Sequence, residues 1–457
     1  MSVSPARKAA YEVLQRVERG RDFASDVLRA PDFSSLSEPD QSLATELVLG
    51  VLRRRAELDA WITRLSSREL DYFDPAIVTI LRLGVYQIRR LDRIPKSAAV
   101  NEAVEMAKAA RKRSAAGLVN AALRKCEPRR SGDGAAGDDG ESLNLALPSW
   151  LAKRWRQRFG VEVERELARW SLETPGTAVR LADASDDLEA IRRELAAENV
   201  ETEPSAYSFR TLVITSGTVK RTELWRKGRV LIQDEASQLV GSLVRPEAHQ
   251  RVLDLCSAPG MKTSQVAADL KSGLLICCDI SGRRLHSMGA VVSHPIPQTV
   301  GWYRVQLDAS RPLPFVCRFD RMLLDVPCSG TGTLARNPEI KWRLRPEDIA
   351  RLSELQKRML RNALPLLVPG GRLVYATCSL EREENEDVVA HALAGTSGFG
   401  RLARTELIHE WPTLAPLFDD EGYFRTRPDL HGTDGFFAAV ISRLGTSGRV
   451  NPPLRLD

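Results

Sequence analysis

No stretch of the 457 residues approaches the roughly 18 consecutive apolar positions that a bilayer-spanning helix needs. The densest, Ala363 to Val368, is the size of a core element. No long apolar region follows Met1-Ser2-Val3-Ser4-Pro5-Ala6-Arg7-Lys8, so no secretory leader and no membrane association are expected, and the cytoplasm is the expected location. The sequence also lacks any CxxC pair. Its cysteines, Cys126, Cys256, Cys277, Cys278, Cys317, Cys328 and Cys378, are odd in number and scattered, and its six histidines do not cluster with them. That speaks against both a disulfide framework and a metal centre. Each cysteine is then either buried filler or a reactive thiol. No internal repeat is visible.

What is there is ordinary in bulk: 43% hydrophobic and 28% charged residues, as in globular proteins generally. At about 150 residues per domain the length suggests two to four domains. A net charge of +6 with a pI near 9.0 is compatible with a polyanionic partner. Residues 1–130 hold 24 Lys and Arg against 17 Asp and Glu, which accounts for the whole excess, although a solvated mixed-charge surface would read the same way.

From Pro5 to Cys126 apolar residues recur at helical spacing: Ala10, Val13, Leu14, Val17; Leu43, Leu47, Val51, Leu52; Ile77, Ile80, Leu81; Val100, Val104, Ala107. This predicts an all-α domain over 1–130. The Gly- and Asp-rich run within 131–144 has little to bury and reads as a flexible linker. Residues 145–240 read as a small α+β module, with helices at Trp150–Phe159, Val163–Trp170 and Asp186–Asn199 and strands at Ala178–Leu181 and Leu212–Ile214. Residues 241–445 alternate strands (Arg251–Leu255, Leu274–Asp279, Met322–Leu324, Arg372–Thr377) with helices, the longest from Pro346 to Leu364. Short buried strands separated by helices predict an α/β, doubly wound parallel sheet. Residues 446–457 form a tail.

The first of these strands runs into Asp254-Leu-Cys-Ser-Ala-Pro-Gly-Met-Lys-Thr263. Small residues there let a backbone approach a ligand at the carboxyl end of a strand, where open α/β sheets bind their ligands. The next strand ends in Asp279, suited to accept hydrogen bonds from ribose hydroxyls. The turn is neither GxGxxG nor a Walker loop, because Met261 separates Gly260 from Lys262 and no earlier glycine opens it. A phosphate cradle is therefore disfavoured and an adenosyl group without phosphate favoured. The same small residues would also serve a tight turn with no ligand.

Two later strands each leave a cysteine just past the carboxyl end: Leu323-Leu-Asp-Val-Pro-Cys-Ser-Gly-Thr-Gly332 and Leu373-Val-Tyr-Ala-Thr-Cys-Ser-Leu380. In a doubly wound sheet these strands should be neighbours, so Cys328 and Cys378 should face one crevice. A lone cysteine is more often packing than chemistry, but two at matching strand ends, each followed by serine, reverse that. Thiols have a specific use there. Cytosine C5 is a poor nucleophile until a thiolate adds to C6 and turns the ring into an enamine. A second thiol can assist loss of the C5 proton. Asp325 stands at the mouth of the same site, to contact the base or the cofactor, unless it is simply a solvated acid. Enzymes that methylate exocyclic amines resemble one another in an Asn/Asp-Pro-Pro-aromatic motif at the equivalent strand end. Here Cys328 replaces the second proline and no aromatic follows, which favours carbon methylation.

These residues, with Gln233-Asp-Glu-Ala-Ser-Gln238, Asp308, Arg336-Asn-Pro-Glu-Ile-Lys-Trp342 and Asp434-Gly-Phe-Phe437, resemble the RNA cytosine-C5 methyltransferases of the Sun/Fmu family over about 230–445. The resemblance implies a Rossmann-like class I methyltransferase domain, Cys378 as nucleophile, Cys328 as the group assisting release, and S-adenosyl-L-methionine as cofactor. Cofactor contacts would come from Cys256 (through its backbone), Ser257, Ala258, Pro259, Gly260, Met261, Lys262, Asp279, Asp308 and Asp325. The family turn usually reads Ala-Ala-Pro-Gly-Gly-Lys, so Ser257 and Met261 depart from it, as does the stretch Ser293–Gly301. The helical part resembles NusB through Ala6-Arg-Lys-Ala-Ala-Tyr11, Leu81-Arg-Leu-Gly-Val-Tyr86, Pro95-Lys-Ser-Ala-Ala-Val-Asn-Glu-Ala-Val104 and Gly117-Leu-Val-Asn-Ala121. Residues 145–240 resemble the family's RRM-like extension, without an aromatic RNP signature. Together these imply a monomeric enzyme acting on a flipped or unpaired cytosine of small-subunit ribosomal RNA, free or in an assembly intermediate. The alternatives are the same reaction on tRNA, or a non-catalytic NusB-like RNA-binding or antitermination factor.

Overall fold

The computed structural model describes residues 3–444 apart from 21, 129–139, 141, 184 and 293–295. Most of the expected linker, the start of the 293–301 stretch and the tail from 446 thus lie outside the described residues. Contacts divide the chain into two compact units, Met1–Thr174 with Leu334–Leu344, and Pro175–Thr333 with Arg345–Asp457. No helix among the described residues is long and apolar enough to cross a membrane.

The first unit is helical, with Pro5–Glu18, Glu38–Arg53, Arg55–Ser66, Pro75–Arg90, Lys96–Ala109 and Ala116–Lys125 as its main N-terminal helices. Their starts follow from local chemistry. Proline opens the first, and the Asp74 carboxylate accepts the Ala76 N–H at 2.9 Å ahead of Pro75–Arg90, filling donors that a helix start leaves open. Ala10, Val13, Leu14, Val17, Leu47, Val51, Leu52, Ile77, Ile80, Leu81, Val100 and Ala107 are buried as the periodicity predicts, while Leu43 and Val104 pack half-buried at the margin. Pro75–Arg90 is buried on nearly every side. Its one inward cation, Arg82, is paired with Asp59 at 2.6 Å and with Glu18.

The helices Ser149–Phe159 and Val161–Trp170, read from the sequence as heading the middle module, group instead with this unit. So does Leu334–Leu344, and hydrogen bonds explain both. Lys341 Nζ donates to Arg53 O at 2.8 Å and to Ser171 O at 3.3 Å, Arg53 donates to Ala335 O and to Thr174 Oγ1, and Trp342 Nε1 donates to Leu52 O at 2.6 Å.

The second unit holds two sheets. The smaller contains β1 (Thr177–Leu181), β2 (Glu201–Pro204), β3 (Thr211–Ser216) and β4 (Val230–Ile232) in the order β2-β3-β1-β4, all antiparallel. With helix Leu188–Ala197 between β1 and β2 and the short helix Glu223–Arg226 before β4, the connectivity is that of a β-α-β-β-α-β unit. The larger sheet contains β5 (Gln250–Asp254), β6 (Gly273–Asp279), β7 (Val300–Gln306), β8 (Phe319–Asp325), β9 (Leu367–Thr377), β10 (Phe399–Arg401), β11 (Phe424–Thr426) and β12 (Phe436–Arg443). Its order is β10-β12-β9-β8-β5-β6-β7, with β11 on β12. Strands β5 to β9 are parallel and β12 antiparallel. Side chains alternate between two cores: Val252, Leu323, Val374 and Ala376 enter one, Leu253, Leu324, Leu373 and Tyr375 the other, as a sheet covered on both faces requires. Chain order reverses between β5 and β8, the switch point where such sheets bind ligands.

A buried polar contact ties the small sheet to the helix Met261–Leu270 that follows β5. Arg180, on β1, is 1% exposed and donates to Ser264 Oγ at 2.7 Å and Gln233 Oε1 at 2.9 Å.

One packing detail in the helical unit is open to test. A Cβ added at Gly50 would lie 2.0 Å from Cζ of Tyr86, whose hydroxyl donates to Glu46 at 2.6 Å. Gly50→Ala gains about 1 kcal/mol of helix propensity but must displace this ring, an overpacking that costs about 1–3 kcal/mol. A lower urea midpoint is expected; an unchanged or higher one would show that the ring moves freely.

Candidate active site

Five parallel strands bring their carboxyl ends to one edge of the large sheet. Asp254 ends β5, Asp279 ends β6, Asp308 stands two residues past the end of β7, and Asp325 ends β8. The register pairs Asp325 with Ala376 of β9. Beyond the strands the pairing continues through Val326 N–H to Ala376 O at 3.0 Å and Gly332 N–H to Cys378 O at 2.9 Å. Cys328 and Cys378 follow these two neighbouring strands, and their Sγ atoms are 3.4 Å apart. Both are half-buried, so neither is sealed from solvent.

The turn after β5 folds back on β6. Ser257 N–H and Oγ both donate to Cys278 O, at 2.9 and 3.0 Å. Arg284 joins Ala258 O, at 2.5 Å, to the Asp279 carboxylate, at 3.6 Å. Gly260 takes φ of 109° to open the helix Met261–Leu270, a conformation that favours glycine. Met261 is the first residue of that helix and is half-buried. Lys262 points across to β8, with Nζ 2.8 Å from Asp325 Oδ2 and 4.9 Å from the Phe436 ring centroid. Asp308 turns back on its own chain, accepting from Ser310 N–H at 2.9 Å and Oγ at 2.7 Å, and these bonds hold its carboxyl below the usual range.

Of the residues singled out from sequence, Cys328 touches Cys378, and Lys262 touches Asp325. Asp279 joins the 256–262 turn through Arg284. Asp308 lies past β7 beside Asp279, whose carbonyl accepts the Leu307 N–H at 3.2 Å, and its own partners are Ser310 and Arg311.

Electrostatics separates the thiols. Burial pushes the thiols of Cys126 (to about 11), Cys256, Cys277 and Cys278 up, which marks them as protonated filler. Cys328 is raised well above the usual thiol value for another reason first, its hydrogen bond to Cys378, with burial second and the charge of Cys378 third. Lys262 is pulled down by burial, yet ends above its usual value because Asp325 and then Cys378 favour the ammonium. The pocket thus contains a cation, Lys262, held by Asp325, and in Cys328 a thiol that keeps its proton.

Sequence reading missed Glu384. Its carboxylate, fully buried, accepts from Ser379 Oγ at 2.5 Å, Ser329 N–H at 2.9 Å, Gln356 Nε2 at 3.0 Å and Ser329 Oγ. The serine after each cysteine was the available signal, but nothing in Glu381-Arg-Glu-Glu-Asn-Glu386 marks Glu384 as an acid that those serines reach. Asp254 opens the 254–263 turn, and its sequence context gives it no role of its own. It is wholly buried and accepts from Thr263 Oγ1 at 2.6 Å.

Two family models match this chain, the "16S rRNA methyltransferase RsmB/F" over residues 242–442 and the "NusB family" over 4–128. The chain is similar to the probable ribosomal RNA small subunit methyltransferase B of Bacillus subtilis (strain 168), at 30% identity over 97% of this chain and 100% of the relative. It is also similar to the ribosomal RNA small subunit methyltransferase B of Klebsiella pneumoniae subsp. pneumoniae, at 33% identity over 95% of this chain and 96% of the relative. The crystal structure of PH0851 shares the fold with a TM-score of 0.78 at 23% identity, over 97% of this chain and 100% of that one.

Burial raises the Asp254 carboxyl from 3.8 to about 7, with Asp325 adding to the rise and the Thr263 hydrogen bond opposing it. The folded state keeps a proton that the unfolded chain gives up near its ordinary value, so the stability this group contributes is full at acid pH and is lost as pH rises through about 7. In Asp254→Asn the drop in melting temperature between about pH 5 and about pH 8 should be smaller than in the wild type. An equal drop in both proteins would contradict the burial argument.

Proposed function

The chain belongs to the RsmB/F family of 16S rRNA methyltransferases, and from that premise we propose that it methylates C5 of a cytosine in small-subunit ribosomal RNA, in the cytoplasm, through a covalent bond between Cys378 Sγ and C6. It is an S-adenosylmethionine-dependent rRNA methyltransferase. The observation that carries the covalent reading is the 3.4 Å contact between the two thiols.

The residues at the strand ends fit the cofactor. Asp279, Asp308 and Asp325 make this edge acidic, which repels phosphate but suits a sulfonium and the hydroxyl and amine donors of an adenosyl group. Asp279 and Asp308 would hold the sugar and base, and the 256–262 turn would supply close backbone. When bound, S-adenosylmethionine supplies the electrophilic methyl group.

The remaining chemistry belongs to the chain. Cys378 thiolate forms the Sγ–C6 bond, and the C5=C6 electron pair shifts onto C5, which becomes the nucleophile. Lys262 favours the thiolate before addition, and Asp325 keeps Lys262 aimed. Once Cys378 is a thioether, the hydrogen bond to a thiolate and its charge no longer act on Cys328, leaving burial alone of the three largest causes that held its proton. Cys328 can then give its own proton to solvent, from which it is not sealed, and as a thiolate take the C5 proton. C5=C6 re-forms, the Sγ–C6 bond breaks, and Cys378 leaves as thiolate. The base must leave any stack for Sγ to reach its face. The basic helical unit would hold backbone phosphates, so binding should weaken with salt.

Cys378→Ala is expected to abolish methylation, a loss of about a thousandfold or more. Cys328→Ala should accumulate RNA bound to Cys378, seen as a shifted band on a denaturing gel. If Cys328→Ala yields no adduct while Cys378→Ala stays active, the assigned roles are wrong. Bisulfite sequencing of rRNA and tRNA from a strain lacking the protein identifies the substrate, and loss confined to tRNA would overturn the rRNA assignment.

A further inference from the structure

Glu384 touches neither thiol, yet it joins the chain segments that carry both. Oε1 accepts from Ser329 N–H at 2.9 Å and Gln356 Nε2 at 3.0 Å, while Oε2 accepts from Ser379 Oγ at 2.5 Å and from Ser329 Oγ. The two serine oxygens are 3.0 Å apart. Ser329 directly follows Cys328, and Ser379 directly follows Cys378. Gln356, from the helix Pro346–Ala363, also donates to Pro327 O at 2.9 Å, the carbonyl just before Cys328. Tyr375 fixes the other end, its hydroxyl donating to Glu384 O at 2.5 Å.

Four donors occupy the acceptor sites of one carboxylate, and among the described residues no basic side chain pairs with it. Burial raises its carboxyl and the hydrogen bonds pull it back. Burying a carboxyl with no basic partner costs free energy that its hydrogen bonds only offset, so it is a poor source of stability. What it does supply is geometry.

We infer that Glu384 is a positioning residue that holds the two cysteine loops against each other, with Ser329 as the arm to Cys328 and Ser379 as the arm to Cys378. This rests on the roles proposed above for the two thiols. Because the arms are separate, their loss should affect separate steps. Loosening Cys328 slows proton removal and release; loosening Cys378 slows adduct formation.

The full-length protein is assayed on unmodified 16S rRNA transcript with S-adenosylmethionine, alongside Cys328→Ala and Cys378→Ala. Ser329→Ala is expected to lower kcat about tenfold or more and to accumulate the covalent RNA band. Ser379→Ala is expected to slow single-turnover methylation by a similar factor with no band. KM for RNA and binding of S-adenosylmethionine should stay within about twofold in both. Wild-type turnover in both variants, or the same phenotype in both, overturns the inference. If the cysteine variants behave as proposed and the serine variants do not separate, only the clamp falls; if Cys378→Ala still methylates, the thiol roles fall and the clamp falls with them. Should a serine variant fail to fold, seen as loss of both its folded circular-dichroism spectrum and its cofactor binding, Glu384→Gln decides the matter. Its amide N–H2 in place of Oε2 cannot accept from either hydroxyl, so a lower kcat at unchanged KM is expected, and a wild-type kcat overturns the inference.

Discussion

The parallel pairing of β8 with β9 is the constraint on which the site depends. Its register sets Asp325 beside Ala376, and the pairing runs on to the hydrogen bond between Gly332 N–H and Cys378 O. A slip of one residue would move one chain about 3.3 Å along the other and turn its side chains to the opposite face. That displacement is as large as the contact between the thiols, so no slipped register could keep them together. The alternation of Leu323 and Val374 into one core, and Leu324 and Tyr375 into the other, fixes that register. Beyond the strands the loops are held by close backbone approach. A Cβ on Gly332 would lie 2.0 Å from Gly435 O, and Gly435 N–H donates to Gly332 O at 2.7 Å. Any side chain at Gly332 must push the start of β12 away from the loop that carries Cys328.

The same sheet edge resolves an electrostatic conflict. Asp279, Asp308 and Asp325 bring negative charge to the edge that also carries both cysteines, and negative charge opposes ionisation of a thiol. Lys262 reverses this locally, being bound to Asp325 at 2.8 Å while facing Cys378. A hydrogen bond with Cys378, and then burial, hold the proton on Cys328. Two thiolates 3.4 Å apart would repel strongly, so the pair holds one charge at a time.

Much of this was legible in the sequence because the informative residues sit at strand ends, where an apolar run stops abruptly. Asp254, Asp279, Asp325, Cys328 and Cys378 are all of this kind. The helical unit was legible through period alone. What was not legible has a common cause. Strand β7 carries Gly301, Tyr303 and Arg304 along a largely exposed edge, so it shows neither a buried run nor clean alternation. Strands β10 and β11 have only three residues each, too few for any period. Glu384 looks like a solvated acid among Glu381, Glu383 and Glu386, and only the fold reveals that Ser329 and Ser379 converge on it. Local pattern reports which face is buried. It does not report what a distant segment supplies.

The helices Ser149–Phe159 and Val161–Trp170 make the same point on a larger scale. A low-complexity linker precedes them, so the chain suggests that a new domain begins there, yet their partners are residues far away in sequence. Lys341 shows why. It is fully buried and its ammonium is pulled well below the usual value by burial, with the nearby Arg53 and Arg54 adding to the fall. Backbone oxygens of Arg53 and Ser171 satisfy it, not an acid. A lysine in that position is tolerable only while both carbonyls are present. The helical unit is therefore discontinuous: residues before 175 complete the polar contacts of a segment that follows Cys328 by a few positions. Cutting the chain at the linker would leave Lys341 and Trp342 without their partners Arg53 O and Leu52 O. A segment distant in sequence thus completes the helical unit, and no local pattern in Leu334–Leu344 reports that it does.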